Sequence, residues 1–181
     1  MNCPPWIRGK STWTVGYDEE MPRTLLASAV SLLLVSGVAG AQIRRPAAEL
    51  ATSVDAKVTR PGSTAKLVLR VALPKGFHVQ ADKPRDPALI ATVLNVRAPK
   101  GTTLIGVTYP KPLDLKQAGA PQPLAVFEEV FEITVRLRLA PSVSPGRLTV
   151  PATLRYQACN DSICFIPTSA ETAWTLEVGR G

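Results

Sequence analysis

Soft metal ligands are scarce here: 181 residues contain one histidine and three cysteines. His78 together with the close pair Cys159 and Cys164 could offer at most three ligands, and no second cysteine pair completes a tetrahedral zinc set. No metal and no cofactor is therefore expected. No stretch shows the three-to-four-residue apolar spacing of an amphipathic helix, which excludes helical-bundle and α/β architectures. No apolar run reaches the roughly 20 residues that span a bilayer as a helix. Lys and Arg number 21 against 14 Asp and Glu, a net charge of +7. From Gln42 on those cations are dispersed singly, apart from Arg44-Arg45, and no aromatic residues interleave with a basic cluster. A nucleic-acid partner is not expected. The charge reads as a solvated surface, with weak attraction to anionic envelope material as a secondary effect. Internal repeats, low-complexity tracts and a second domain are also lacking.

The first 20 residues are polar and end in Asp18-Glu19-Glu20. Met21-Pro22-Arg23-Thr24 then opens an apolar run from Leu25 to Val38, which Ala39-Gly40-Ala41 closes. A short basic start, an apolar stretch of about 7–15 residues and a small-residue exit describe a secretory signal peptide. The expectation is an upstream extension of the reading frame at 1–20, a signal peptide at 21–41 cut after Ala41, and one exported domain at 42–181. An uncleaved anchor is the alternative, and no cysteine follows the exit to take a lipid. Cys3 falls outside the mature chain, which leaves a pair and no odd thiol. Export to the periplasm or beyond allows that pair to stay oxidised.

From Ala51 onward the pattern has a period of two. Val54, Ala56 and Val58 alternate with Asp55, Lys57 and Thr59, and Arg60-Pro61-Gly62-Ser63 is turn chemistry. Ala65, Leu67, Leu69 and Val71 face one way, with Lys66, Val68 and Arg70 the other. Ile90–Ala98 and Thr102–Tyr109 read as strands, and Pro110–Pro123 as a long irregular loop. Phe131 through Leu139 alternates most clearly, and Leu148–Ala158 and Thr172–Val178 complete the set. Seven or more short strands with turn signals near every ten residues predict a single-domain antiparallel β-sandwich. Tyr156 and Trp174 are expected in its core, and Asp82-Lys83-Pro84-Arg85-Asp86-Pro87 as a solvated turn.

Chemistry concentrates in Tyr156-Gln157-Ala158-Cys159-Asn160-Asp161-Ser162-Ile163-Cys164-Phe165-Ile166-Pro167. Asn160-Asp161-Ser162 favours a tight reversal, which would bring the two sulfurs within reach of one bond. Such a bridge could be a structural staple, an exchangeable disulfide or part of a metal site. A small ring stabilises by only about 2 kcal/mol in the chain-entropy model. Between the cysteines there is no Lys, Arg or His to favour a thiolate, and Asp161 opposes one. Such a pair suits a disulfide that waits for a partner's activated thiolate.

The Tyr156-to-Pro167 stretch resembles the signature of the N-terminal periplasmic domain of the thiol:disulfide interchange protein DsbD family. Pro74-Lys75-Gly76-Phe77-His78-Val79-Gln80-Ala81-Asp82-Lys83-Pro84 is similar to the family's Gly-aromatic-His segment. Tyr109-Pro110-Lys111-Pro112 and Val126-Phe127-Glu128-Glu129 agree with its cap region and following strand. The resemblance runs roughly from Val54 to Val178. It implies an immunoglobulin-like fold and a redox disulfide between Cys159 and Cys164. It also implies protein-disulfide reduction without a soluble cofactor. The electron donor would be a thioredoxin-like or membrane thiol:disulfide conduit protein, the acceptors oxidised periplasmic thiol proteins, and the domain a monomer. Because the sequence stops at Gly181, the donor is expected to be a separate protein. Cys164 is favoured for the mixed disulfide. Phe77, His78, Gln80, Leu124, Phe127 and Tyr156 become candidate neighbours of the site, with His78 able to pass a proton. The loop Gln117–Val126 lacks the family's acidic and aromatic cap residues, so Leu124 or Phe127 is the candidate shield.

Overall fold

The computed structural model describes residues 45–180. The upstream extension, the signal peptide with its cut after Ala41, and Cys3 lie outside the described residues. Eleven strands occur among the described residues: β1 Glu49–Val54, β2 Thr64–Ala72, β3 His78–Gln80, β4 Val93–Val96, β5 Thr102–Thr108, β6 Leu113–Leu115, β7 Leu124–Glu128, β8 Val130–Leu139, β9 Gly146–Tyr156, β10 Ala158–Cys159 and β11 Thr168–Val178. No helix occurs among the described residues.

Two sheets form the sandwich, in the orders β1-β2-β8-β5 and β11-β9-β4, and every strand pairing in them is antiparallel. Without the four strands of a third, smaller sheet, these seven reproduce the two-sheet order of a constant-type immunoglobulin domain. Strict alternation makes them two-faced. Ala65, Leu67, Leu69 and Val71 of β2 and Phe131 to Leu139 at every second position of β8 are buried. Val150, Ala152, Leu154 and Tyr156 of β9 meet them with Trp174, Leu176 and Val178 of β11 in one core. The Trp174 Nε1–H donates to the Val68 carbonyl at 2.9 Å, tying the second sheet to the first. Each fully buried Leu, Ile or Val is worth about 1.5–3 kcal/mol, so this core, and not a small disulfide ring, carries the stability.

Pro151 lies inside the middle strand of its sheet, normally a poor place for a residue without N–H. Its carbonyl and missing donor face the side where β4 has ended, and there Arg97 N donates to Pro151 O at 2.9 Å.

The third sheet has the order β10-β3-β7-β6. It grows from the end of the sandwich, because β2 runs on toward β3 and β7 runs into β8. At that junction Glu129 takes a left-handed φ of 48°. The Leu73 amide donates to its carbonyl at 2.6 Å. The kink turns Glu129 outward while Phe127 and Phe131, on either side, both enter the core with ring centroids 4.8 Å apart.

Two strand expectations are corrected. The first strand is Glu49–Val54 and not Val54–Val58: pairing with β2 stops at Val54 opposite Leu67, and Val58 is 56% exposed. The alternation continues past the ladder's end, so period alone could not show where pairing stops. The Pro110–Pro123 segment is not wholly irregular, since Leu113–Leu115 pairs with β7 as an edge strand, where flanking prolines are tolerated.

Candidate functional site

β9 leaves the second sheet after Tyr156, and the chain folds back on itself at once. The Asn160 side-chain oxygen accepts from the amides of Ser162 at 2.9 Å and Ile163 at 2.8 Å, the Asx geometry that its short side chain favours. The Asn160 amide donates to Ile163 O and the Phe165 amide to Ala158 O, each at 2.9 Å. Gln157 Nε2 fastens the outgoing strand through Phe165 O at 2.9 Å. The two backbone bonds flank the Cys159 and Cys164 pair, which therefore occupies the narrow, non-hydrogen-bonded position of the hairpin, where facing side chains come closest. The sulfurs are bonded, with Cα atoms 4.0 Å apart.

The two cysteines live in different surroundings. Cys159 is 1% exposed. Cys164 is exposed, between exposed Ile163 and half-buried Phe165, and Ile166 is 66% exposed. The Phe165 ring packs on Phe77 with centroids 5.9 Å apart.

The small sheet sorts the remaining candidates by face. Cross-strand register sets Cys159 opposite His78 and His78 opposite Glu128, so all three share one face. Gln80, Leu124 and Val126 lie on that same face by alternation. Ala158, Val79 and Phe127 form the next row, on the face that joins the core. His78 is 4% exposed and its Nε2 has no hydrogen-bond partner; nor has the Gln80 side-chain oxygen. Burial lowers the His78 pKa, while Glu128 and, less strongly, Asp161 act in the opposite direction.

A groove of about 350 Å³ runs beside the disulfide, walled by Gln80, Arg85, Leu124, Cys164 and the 117–122 segment. Arg85 braces it: one guanidinium nitrogen donates to Pro123 O at 2.5 Å and the other pairs with Asp114 of β6. The 82–87 turn is thus more than solvated. Sequence reading missed Arg85, whose only signal would have been its acidic partner, and Asp114 sat within what looked like a shapeless loop.

Phe77, His78, Gln80 and Leu124 are gathered around the disulfide. Two other candidates are not. Phe127 is 2% exposed on the opposite face, packed with Tyr109 and Phe131, and cannot cover the bridge. Tyr156 is core, its hydroxyl accepting from Ala48 N at 2.8 Å. Among the described residues no group of three or more His, Cys, Asp or Glu is arranged to hold a metal ion.

The described residues form an immunoglobulin-like sandwich with a disulfide hairpin at one end. Residues 47–175 match the family model for the N-terminal part of the thiol:disulfide interchange protein DsbD, and the chain belongs to that family. No curated protein is similar enough to match the chain. Among solved structures it is similar to the DsbD N-terminal domain of Neisseria meningitidis in its reduced form. Identity there is 16% over 71% of this chain and 85% of that one, with a TM-score of 0.42. It is also similar to the N-terminal periplasmic domain of ScsB from Proteus mirabilis, at 15% identity over 72% of this chain and 46% of that one, with a TM-score of 0.44.

Proposed function

We propose that this chain is an exported thiol:disulfide exchange domain that relays electrons through Cys159 and Cys164. One observation carries the reading: the bridge joins a buried sulfur-bearing residue to an exposed one. A partner's thiolate attacks Cys164 Sγ, a new Cys164–partner disulfide forms, and the electron pair of the broken bond goes to Cys159 Sγ. The partner's second thiol then resolves the mixed disulfide and leaves both cysteines reduced. The resulting dithiol reduces an oxidised thiol protein by the same steps in reverse. The donor is a thioredoxin-like or membrane thiol:disulfide conduit protein, and the acceptors are oxidised thiol proteins of the periplasm. The signal peptide at 21–41 takes a monomeric domain there.

Local chemistry supports waiting for attack over attacking. No cation lies within the ring, and the exposed Ile163 and Ile166 offer an apolar rim for docking. Leu124, in the groove wall, is the remaining candidate shield. The test is the reduction potential of the bridge. Structural disulfides fall below about −300 mV, so equilibration with a thioredoxin-like dithiol above that value is expected. A bridge that resists such a dithiol would leave a binding module with a structural staple.

A further inference from the structure

We propose that Cys159, His78 and Glu128 act as a unit, with His78 carrying the proton that the buried sulfur gains and loses as the bridge opens and closes. This rests on the exchange reading above. The three residues form one row across β10, β3 and β7, on the same face. Directly opposed residues of antiparallel strands have Cβ atoms about 4.5–5.5 Å apart, within reach of an imidazole on either side. Cys159 and His78 are both buried.

The unpartnered Nε2 is the telling feature. A buried polar atom without a hydrogen bond is costly, and in the oxidised bridge Cys159 Sγ has no proton to share. Reduction changes that. When a partner's thiolate attacks Cys164 Sγ, Cys159 Sγ departs with the electron pair into a site that disfavours an isolated charge. A proton from solvent, taken up on the imidazole, then settles between nitrogen and sulfur. In the reverse direction the imidazole removes the Cys159 proton, the thiolate attacks the Cys164 sulfur of the mixed disulfide, and the partner leaves as its thiolate. The titratable groups facing His78 are Cys159 from β10, Asp161 from the hairpin turn and Glu128 from β7, and both carboxylates favour the imidazolium against burial. A thiol, a base and a carboxylate in that order are the arrangement that activates a sulfur nucleophile.

The test uses Cys164→Ala, which leaves Cys159 as the one thiol of the mature domain, followed by ultraviolet thiolate absorbance against pH. With His78 present, Cys159 should ionise below the ordinary thiol value of about 8.5, in a step coupled to the imidazole. With His78→Gln added, burial without relief should push it above that value. Glu128→Gln should move it part of the way, and carries the test if His78→Gln does not fold. Closure of a mixed disulfide at neutral pH should slow about three- to fourfold for each unit by which the thiol pKa rises, because the loss of thiolate is partly offset by its greater nucleophilicity. Identical Cys159 titration in all these variants overturns the proposal. Continued capture of a partner by Cys164 in a Cys159→Ala/His78→Gln chain would show that the exchange reading stands without it.

Discussion

Reducing the Cys159–Cys164 bridge should leave the domain folded, and the structure limits the cost. The bridge closes a ring between residues five apart in sequence. In the chain-entropy model a ring of that size restricts the unfolded chain by about 2 kcal/mol. That figure is an upper limit, because Asn160 already orders the turn through its two amide contacts and Gln157 ties its outgoing strand. A domain of this kind has about 5–15 kcal/mol of net stability, so a loss of 2 leaves most of it. The assay is urea unfolding of the same chain, oxidised and then in excess dithiothreitol, followed by Trp174 fluorescence. Unchanged slopes and a difference of about 2 kcal/mol or less are expected. Loss of more than about 4 kcal/mol, or unfolding on reduction alone, would exceed what a ring this short can supply. Either result would refute the division of labour between core and bridge.

Three further outcomes follow from particular contacts. Trp174→Phe removes the Nε1–H bond to Val68 O and part of a fully buried ring, and should cost about 1–3 kcal/mol in unfolding free energy. Because His78 titrates below its unfolded value, the unfolded chain binds the extra proton. Stability of the oxidised domain should therefore fall as pH drops below about 6.5, by at most about 1.4 kcal/mol per pH unit from this group, and His78→Gln should remove that component. Arg85→Ala should change global stability by less than about 1 kcal/mol, because its pair with Asp114 is partly exposed. It should nevertheless make the 117–123 segment more open to limited proteolysis, since Arg85 holds Pro123 O.

The long strands were legible because burial on one face writes a period of two: β2 and β8 follow the alternation of Ala65–Val71 and Phe131–Leu139 residue by residue. The hairpin was legible for a local reason, since Asn160 and its neighbours specify the turn by their own side chains. What escaped the sequence was set by partners distant along the chain. β6 is three residues between prolines and exists because β7 offers it an edge. The outer strand leaves its ladder at Val54 although its partner β2 runs on to Thr64 and the alternation to Val58. The placement of Phe127 on the core face, away from the disulfide, depends on the register of β3 against β7, which no local pattern encodes. The same register creates the Cys159–His78–Glu128 row, from residues separated by 31 to 81 positions.

Covalent trapping tests the central claim most directly. Cys159→Ala and Cys164→Ala variants, exported in a host with a working thiol-exchange system, should differ. Cys159→Ala keeps the exposed Cys164 and has no resolving thiol, so it should carry a disulfide-linked thioredoxin-like or periplasmic thiol protein that a reducing gel releases. Cys164→Ala keeps only the buried Cys159 and should carry little or none. Absence of an adduct on both variants, or an adduct confined to Cys164→Ala, would contradict attack at Cys164.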